Sequence, residues 1–154
     1  MRGTLRIFRT PSFSIRALQE FTGQFLPGFQ EMHFLLTDGI MLNFMEIFPE
    51  DILPGIRVQR ILTSYQLQKI LMESNSNPHY IAAASAVLAS WSPKVIEGIY
   101  DVMKIKSYYN GGIIFMNVVG SGGIFEKYLG NIAIPGGSAR NRGGLYSWEE
   151  QFRQ

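Results

Sequence analysis

Cysteine is missing from this chain of 154 residues, which excludes disulfides, thiolate nucleophiles and cysteine-ligated zinc. Histidine is nearly missing, since His33 and His79 are the only two, and no serine sits in a GxSxG elbow. Nucleophilic hydrolysis therefore has no motif to stand on, and no catalytic residue or cofactor is assigned. Charge is scarce as well: 17% of residues are charged, against roughly 25% in ordinary soluble domains. A surface so short of charge is expected to be covered in part, by other subunits or by its own packed layers. No apolar run approaches the roughly 18 residues of a membrane-spanning helix, and no hydrophobic signal core is visible.

The charges that are present are unevenly spread. Residues 1–16 contain Arg2, Arg6, Arg9 and Arg16 and no acid, whereas residues 17–56 contain six acids and no base. Such segregation suits a subunit whose basic edge meets the acidic edge of the next copy. The first sixteen residues also have the composition of a mitochondrial transit peptide, so import stands as a minor expectation beside a virion or cytoplasmic location.

What the chain has in quantity is apolar patterning. Phe29 to Phe48 consists of two apolar runs flanking Asp38-Gly39, a dipeptide favoured in two-residue type I′ turns. The spacing predicts a β-hairpin over 29–48 in which Leu36 faces Met41 and Phe34 faces Asn43, with both faces apolar and needing cover. Before it, Leu5 to Phe8 predicts a short strand, and Thr10-Pro11 opens a helix with Ile15, Leu18, Phe21 and Phe25, and Ala17 between them, on its buried stripe. After it, PEDILPG reads as a loop and Ile56 to Leu62 as a strand. A capping box at Thr63 to Gln66 opens a helix reaching about Glu73.

Asn77-Pro78 and Ser92-Pro93 each place a capping residue before proline, which predicts an alanine-rich helix over 78–90 and another over 93–106. Ile113 to Val119 is an apolar β-type run, and 120–134 continues as a second hairpin or as strand, loop and helix. The fold class expected is α+β: a small, mostly antiparallel sheet, from the 29–48 hairpin and strands within 113–134, packed with three or four helices. Residues 1–134 form one domain in this reading, and 135–154 a glycine- and arginine-rich arm with a short terminal helix.

Register in the predicted hairpin sets Glu31 opposite Glu46, with His33 on the same face. Two carboxylates and an imidazole there make a candidate divalent-metal site, or a carboxylate pair with a proton shuttle. Gly120-Ser121-Gly122-Gly123 has the shape of a phosphate loop but not its sequence, since no lysine-serine pair follows. His79, near a predicted helix start, reads as an ordinary exposed polar residue. The arginines of both termini, Arg2, Arg6, Arg9, Arg140 and Arg142, together with Trp148 and Phe152, are candidate contacts to a neighbouring subunit.

These features point to a non-catalytic structural subunit of a large assembly, with a phage or viral particle component of tail, neck or baseplate as its concrete form. Its partners would be copies of itself or other subunits. The alternatives are a small metal- or ligand-binding enzyme using Glu31, His33 and Glu46, and a nucleic-acid-binding protein using the arginine-rich termini.

Overall fold

Six short segments, most of them rich in branched and aromatic residues, pair into one sheet in the computed structural model, which describes residues 3–73, 77–121 and 126–134. They are β1 (Gly3–Thr10), β2 (Met32–Thr37), β3 (Ile56–Ile61), β4 (His79–Ala84), β5 (Ile113–Val119) and β6 (Gly130–Ile134). Across the sheet the order is β3-β2-β4-β5-β1-β6. The first five strands are parallel, and β6 alone runs antiparallel, along β1.

Parallel neighbours require crossovers, and the helices supply them: α1 (Ile15–Phe25), α2 (Phe44–Ile47), α3 (Ser64–Glu73), α4 (Ser85–Leu88) and α5 (Pro93–Asn110). Their starts are legible in the side chains. Ser14 Oγ accepts the Ala17 N–H at 3.1 Å, and Ser92 Oγ accepts the Val95 N–H at 3.2 Å. At α3, Thr63 Oγ1 accepts the Gln66 N–H at 3.1 Å while Gln66 Oε1 accepts the Leu62 N–H at 2.8 Å.

Both faces of the sheet are covered. On one, Ala17, Leu18 and Phe21 of α1 pack on Met32, Phe34, Leu36, Tyr80 and Phe115. On the other, Leu67 and Leu71 of α3 and Ile96, Ile99 and Met103 of α5 pack on Leu5, Leu35, Ile81, Ile114 and Met116. Two-sided burial explains why the central strands read as continuous apolar runs rather than as alternating ones.

The mostly antiparallel sheet expected from the sequence is therefore corrected. Helices and a sheet are combined, but the Phe29–Phe48 hairpin does not form. A type I′ turn needs φ > 0 at both central residues; Gly39 has φ of 89°, whereas no non-glycine residue among those described has positive φ, Asp38 included. The chain turns at Asp38-Gly39 but leaves the sheet, buries Ile40 and enters α2, so β2 is left to pair with β3 and β4 on its two sides.

The alanine-rich helix over 78–90 is corrected too. His79–Ala84 is strand β4, between β2 and β5, followed by the single turn α4. Small alanines fit this central position because α-helical layers press on the sheet from both sides, a constraint stronger than alanine's helix propensity. The helix after Thr10-Pro11 begins only at Ile15, because β1 runs on to Thr10 and Ser14 takes the cap. Strands over Ile56–Ile61 and Ile113–Val119 and helices from Ser64 and Pro93 stand where the sequence sets them.

Candidate functional site

The C-terminal ends of the parallel strands come together at one end of the sheet, where open parallel sheets place their ligands. Connections leave β2 and β4, which are neighbours, in opposite directions, so the topology sets a switch point between them. That point is sealed. Thr37 Oγ1 accepts the Ala84 N–H at 2.9 Å and donates to the Asp38 carbonyl at 2.9 Å, and a Cβ on Gly39 would lie 3.1 Å from that of Ala84.

Open space lies instead beside β1 and β5, as a shallow cavity of about 400 Å³ lined by Arg9, Thr10, Pro11, Gly120 and Ser121. Its floor is braced by Asn117, fully buried at the end of β5. Asn117 Nδ2 donates to Thr10 Oγ1 at 2.9 Å, and its Oδ1 accepts the Ser14 N–H at 3.2 Å, tying β5, β1 and the start of α1 together.

Next to this end, at the β3 edge, the surface changes character. Thr37 of β2 pairs with Ile61 of β3, so the segments leaving the two strands start side by side. Arg60 holds the first of them in place, with Nη1 donating to the Thr37 carbonyl at 2.9 Å and Nη2 to the Ile40 carbonyl at 3.3 Å. On these segments and the helices they enter, Met41 (85% exposed), Met45 (68%), Leu62 (66%) and Tyr65 (68%) face solvent. Charges of both signs border them, Asp38 and Arg60 standing 3.8 Å apart, and Val58 is exposed along β3, whose outer edge carries no further strand among the described residues.

The opposite end of the sheet carries a buried titratable cluster. His33 and His79 are register partners on β2 and β4, with ring centroids 4.8 Å apart in an edge-to-face arrangement. His79 is fully buried, and neither of its ring nitrogens makes a well-aligned hydrogen bond, the Asn77 backbone being the polar group that favours its charged form. Glu31 Oε1 stands 3.6 Å from His33 Nε2 and 3.6 Å from Arg57 Nη1.

Burial is the largest cause holding the His79 imidazole down, to about 3, with the charges of His33 and Lys106 adding to it against the Asn77 backbone nearby. His33 is also held below its ordinary value, by burial first and then by Arg57, and Lys106 more weakly, while Glu31 opposes. Lys106, near the end of α5, is itself lowered by burial.

Of the predicted metal ligands, the structure brings Glu31 and His33 together but not by hairpin register. Glu46 lies on α2, which follows the far end of β2, and no group of three acidic or histidine side chains suited to a metal occurs among the described residues. The residue missed is His79. Read as exposed near a helix start, it is instead in the sheet interior, and the signal for this was the apolar run from Tyr80 to Ala84 bounded by Pro78 and Ser85. Arg6 and Arg9 belong to β1 between β5 and β6, Arg6 lying over the Phe115 ring at 5.1 Å and held below its ordinary pKa by burial. Arg2, Arg140, Arg142, Trp148 and Phe152 lie outside the described residues, as does the arm over 135–154. No helix among those residues is long and apolar enough to cross a membrane.

No protein-family model matches this chain, and no characterised protein matches it.

Proposed function

We propose that this protein is a non-catalytic subunit of a larger assembly, and that it associates with copies of itself through the strip at the β2–β3 end of the sheet. The observation that supports this reading is the exposure of Met41, Met45, Leu62 and Tyr65 on segments that leave adjacent strands together. A buried methionine or leucine side chain contributes about 1.5 to 3 kcal/mol relative to leaving it in water, so four on one strip give a strong drive to be covered. The bordering charges favour a second copy as the cover. With Asp38 and Glu46 at one border and Arg60 near the end of β3, a two-fold contact can set the acids of each copy near the arginine of the other. The form of this reading as a viral particle component rests on the low charge content and blockwise charge alone.

Sedimentation over a wide concentration range tests it, with Leu62→Asp and Tyr65→Asp together as the interface variant. The wild type is expected to self-associate and the variant to sediment as a monomer with an unchanged circular dichroism spectrum. A wild type that stays monomeric throughout, with association also indifferent to removal of residues 135–154, overturns the reading.

A second reading, binding of a small polar ligand, has one observation of its own: the cavity of about 400 Å³ at the strand ends. A thermal-shift screen with Ser121→Tyr as the filled-cavity control decides it. A shift in the wild type that the control loses supports ligand binding, and the same shift in both overturns it.

A further inference from the structure

The two histidines of this chain stand side by side at the N-terminal end of the neighbouring central strands β2 and β4, His79 buried and His33 partly so. We propose that His33 and His79 form an acid-operated latch, which keeps the N-terminal end of the β2–β4 seam and the last turns of α5 closed at neutral pH and releases them in acid. Such a latch is independent of the assembly reading.

The geometry makes the two rings unequal. His33 has a carboxylate within reach, Glu31 at 3.6 Å, so a proton on its ring meets partial compensation, offset by Arg57 at the far side of the same carboxylate. His79 has none. Its ring is fully buried, neither nitrogen makes a well-aligned hydrogen bond, and the charged groups that reach it are His33 across the seam and Lys106 from α5, both cations in acid. The Asn77 backbone, before β4, is the one group that favours its charged form. A cation on His79 is therefore desolvated and surrounded by like charge, and the only relief is to reach water.

Water is nearest along this end of the sheet. The pair sits at the first residues of the β2–β4 ladder: the pairing begins at His33 and His79, and the bond just beyond it, from the His33 N–H to the Pro78 carbonyl, is 2.8 Å long. Opening the seam thus requires only its terminal pairs and the α5 end carrying Lys106 to separate. The Phe34–Tyr80 and Leu35–Ile81 pairs behind them, inside the two cores, need not move.

Hydrogen exchange on the full chain, corrected for intrinsic rates, at pH 8 and pH 4.5 tests this. In the wild type, opening at the terminal amides of the seam, His33 and His79, and over 104–110 should rise by about a hundredfold at pH 4.5, the ratio set by a histidine that titrates normally only when open, while 35–37 and 81–84 should rise much less. Segment 15–25 of α1, on the other face, should rise much less. His79→Phe should abolish the rise, and Glu31→Gln, which removes the compensation at His33, should enlarge it at pH 4.5. Equal opening in His79→Phe, or a rise spread evenly over α1 and the seam, overturns the proposal. The imidazole resonances of the folded wild type provide a measurement that needs no variant: titration of His79 at an ordinary histidine value overturns the latch, and titration far below supports it.

Discussion

Tyr80 gives the sharpest stability prediction. Its ring is the hub of an aromatic cluster on the α1 face, with centroids 5.1 Å from Phe21, 5.6 Å from Phe34, and 6.5 Å from each of Phe8, Phe13 and Phe115. Its hydroxyl is fully buried and has no hydrogen-bond partner. Tyr80→Phe removes that oxygen and keeps the ring. A buried hydroxyl without a partner costs about 1 to 3 kcal/mol on mutational scales, part of which relaxation around the smaller side chain returns, so a gain of about 1 to 2 kcal/mol is expected. For a domain of this size that is a rise in Tm of about 2 to 8 °C.

Denaturant titration at neutral pH measures the gain. The alkaline limb provides a second readout. Burial, with Glu20 adding to it, pushes the Tyr80 phenol well above its ordinary value. The unfolded chain then releases a proton that the folded chain retains, so wild-type stability falls as pH rises above about 10, and the variant lacks this loss. A Tyr80→Phe protein less stable than the wild type by about 1 kcal/mol or more, with an unchanged alkaline limb, would refute the reasoning, because it would mean that the hydroxyl is satisfied in the folded state.

Asn117→Ala removes the acceptor of the Ser14 N–H and the donor to Thr10, and should cost about 2 to 3 kcal/mol in a denaturant midpoint, with α1 fraying from its first turn in hydrogen exchange. Gly3→Ala should be worse. A Cβ there collides with the Ser107 carbonyl of α5, whose backbone cannot withdraw without disturbing the Thr4 N–H bond to the Gly112 carbonyl, so a loss of at least about 2 kcal/mol is expected by calorimetry. Acid should weaken the fold through His79. The folded value lies near 3 and the unfolded near 6.5, so the unfolded state binds the proton first and stability declines as pH falls through that window. By pH 5 the loss from this residue is about 2 kcal/mol, and His79→Phe should flatten the profile.

Much of the local structure was legible because its causes are local. Ser92-Pro93 starts α5 and the Thr63–Gln66 box starts α3, since a cap is a contact between residues a few positions apart. The stripe of Ala17, Leu18 and Phe21 and the apolar runs at 56–61 and 113–119 named their elements for the same reason: periodicity records which side chains share a face. The apolar character of the 29–48 run on both faces called for cover on two sides; the hairpin does not form, and helices cover both faces of β2 alone.

The partners of each strand were decided elsewhere. Asp38-Gly39 permits a hairpin, but β2 reaches a lower free energy between β3 and β4, where both of its faces are covered by helices, and no local pattern reports a partner that arrives twenty or forty residues later. The same non-local choice turned the alanine run into a central strand and carried His79 against His33, while leaving Glu46 at the other end of β2. The sequence by itself determined where α3 and α5 begin, that 56–61 and 113–119 are strands, and that the chain is short of charge and free of cysteine. Tertiary structure alone decided that five of the six strands are parallel, that four large apolar side chains stay exposed at the β2–β3 end of the sheet, and that a buried imidazole meets a partly buried one at the start of β2 and β4. Those outcomes depend on strand order, which arises from competition among distant segments for the same backbone hydrogen bonds.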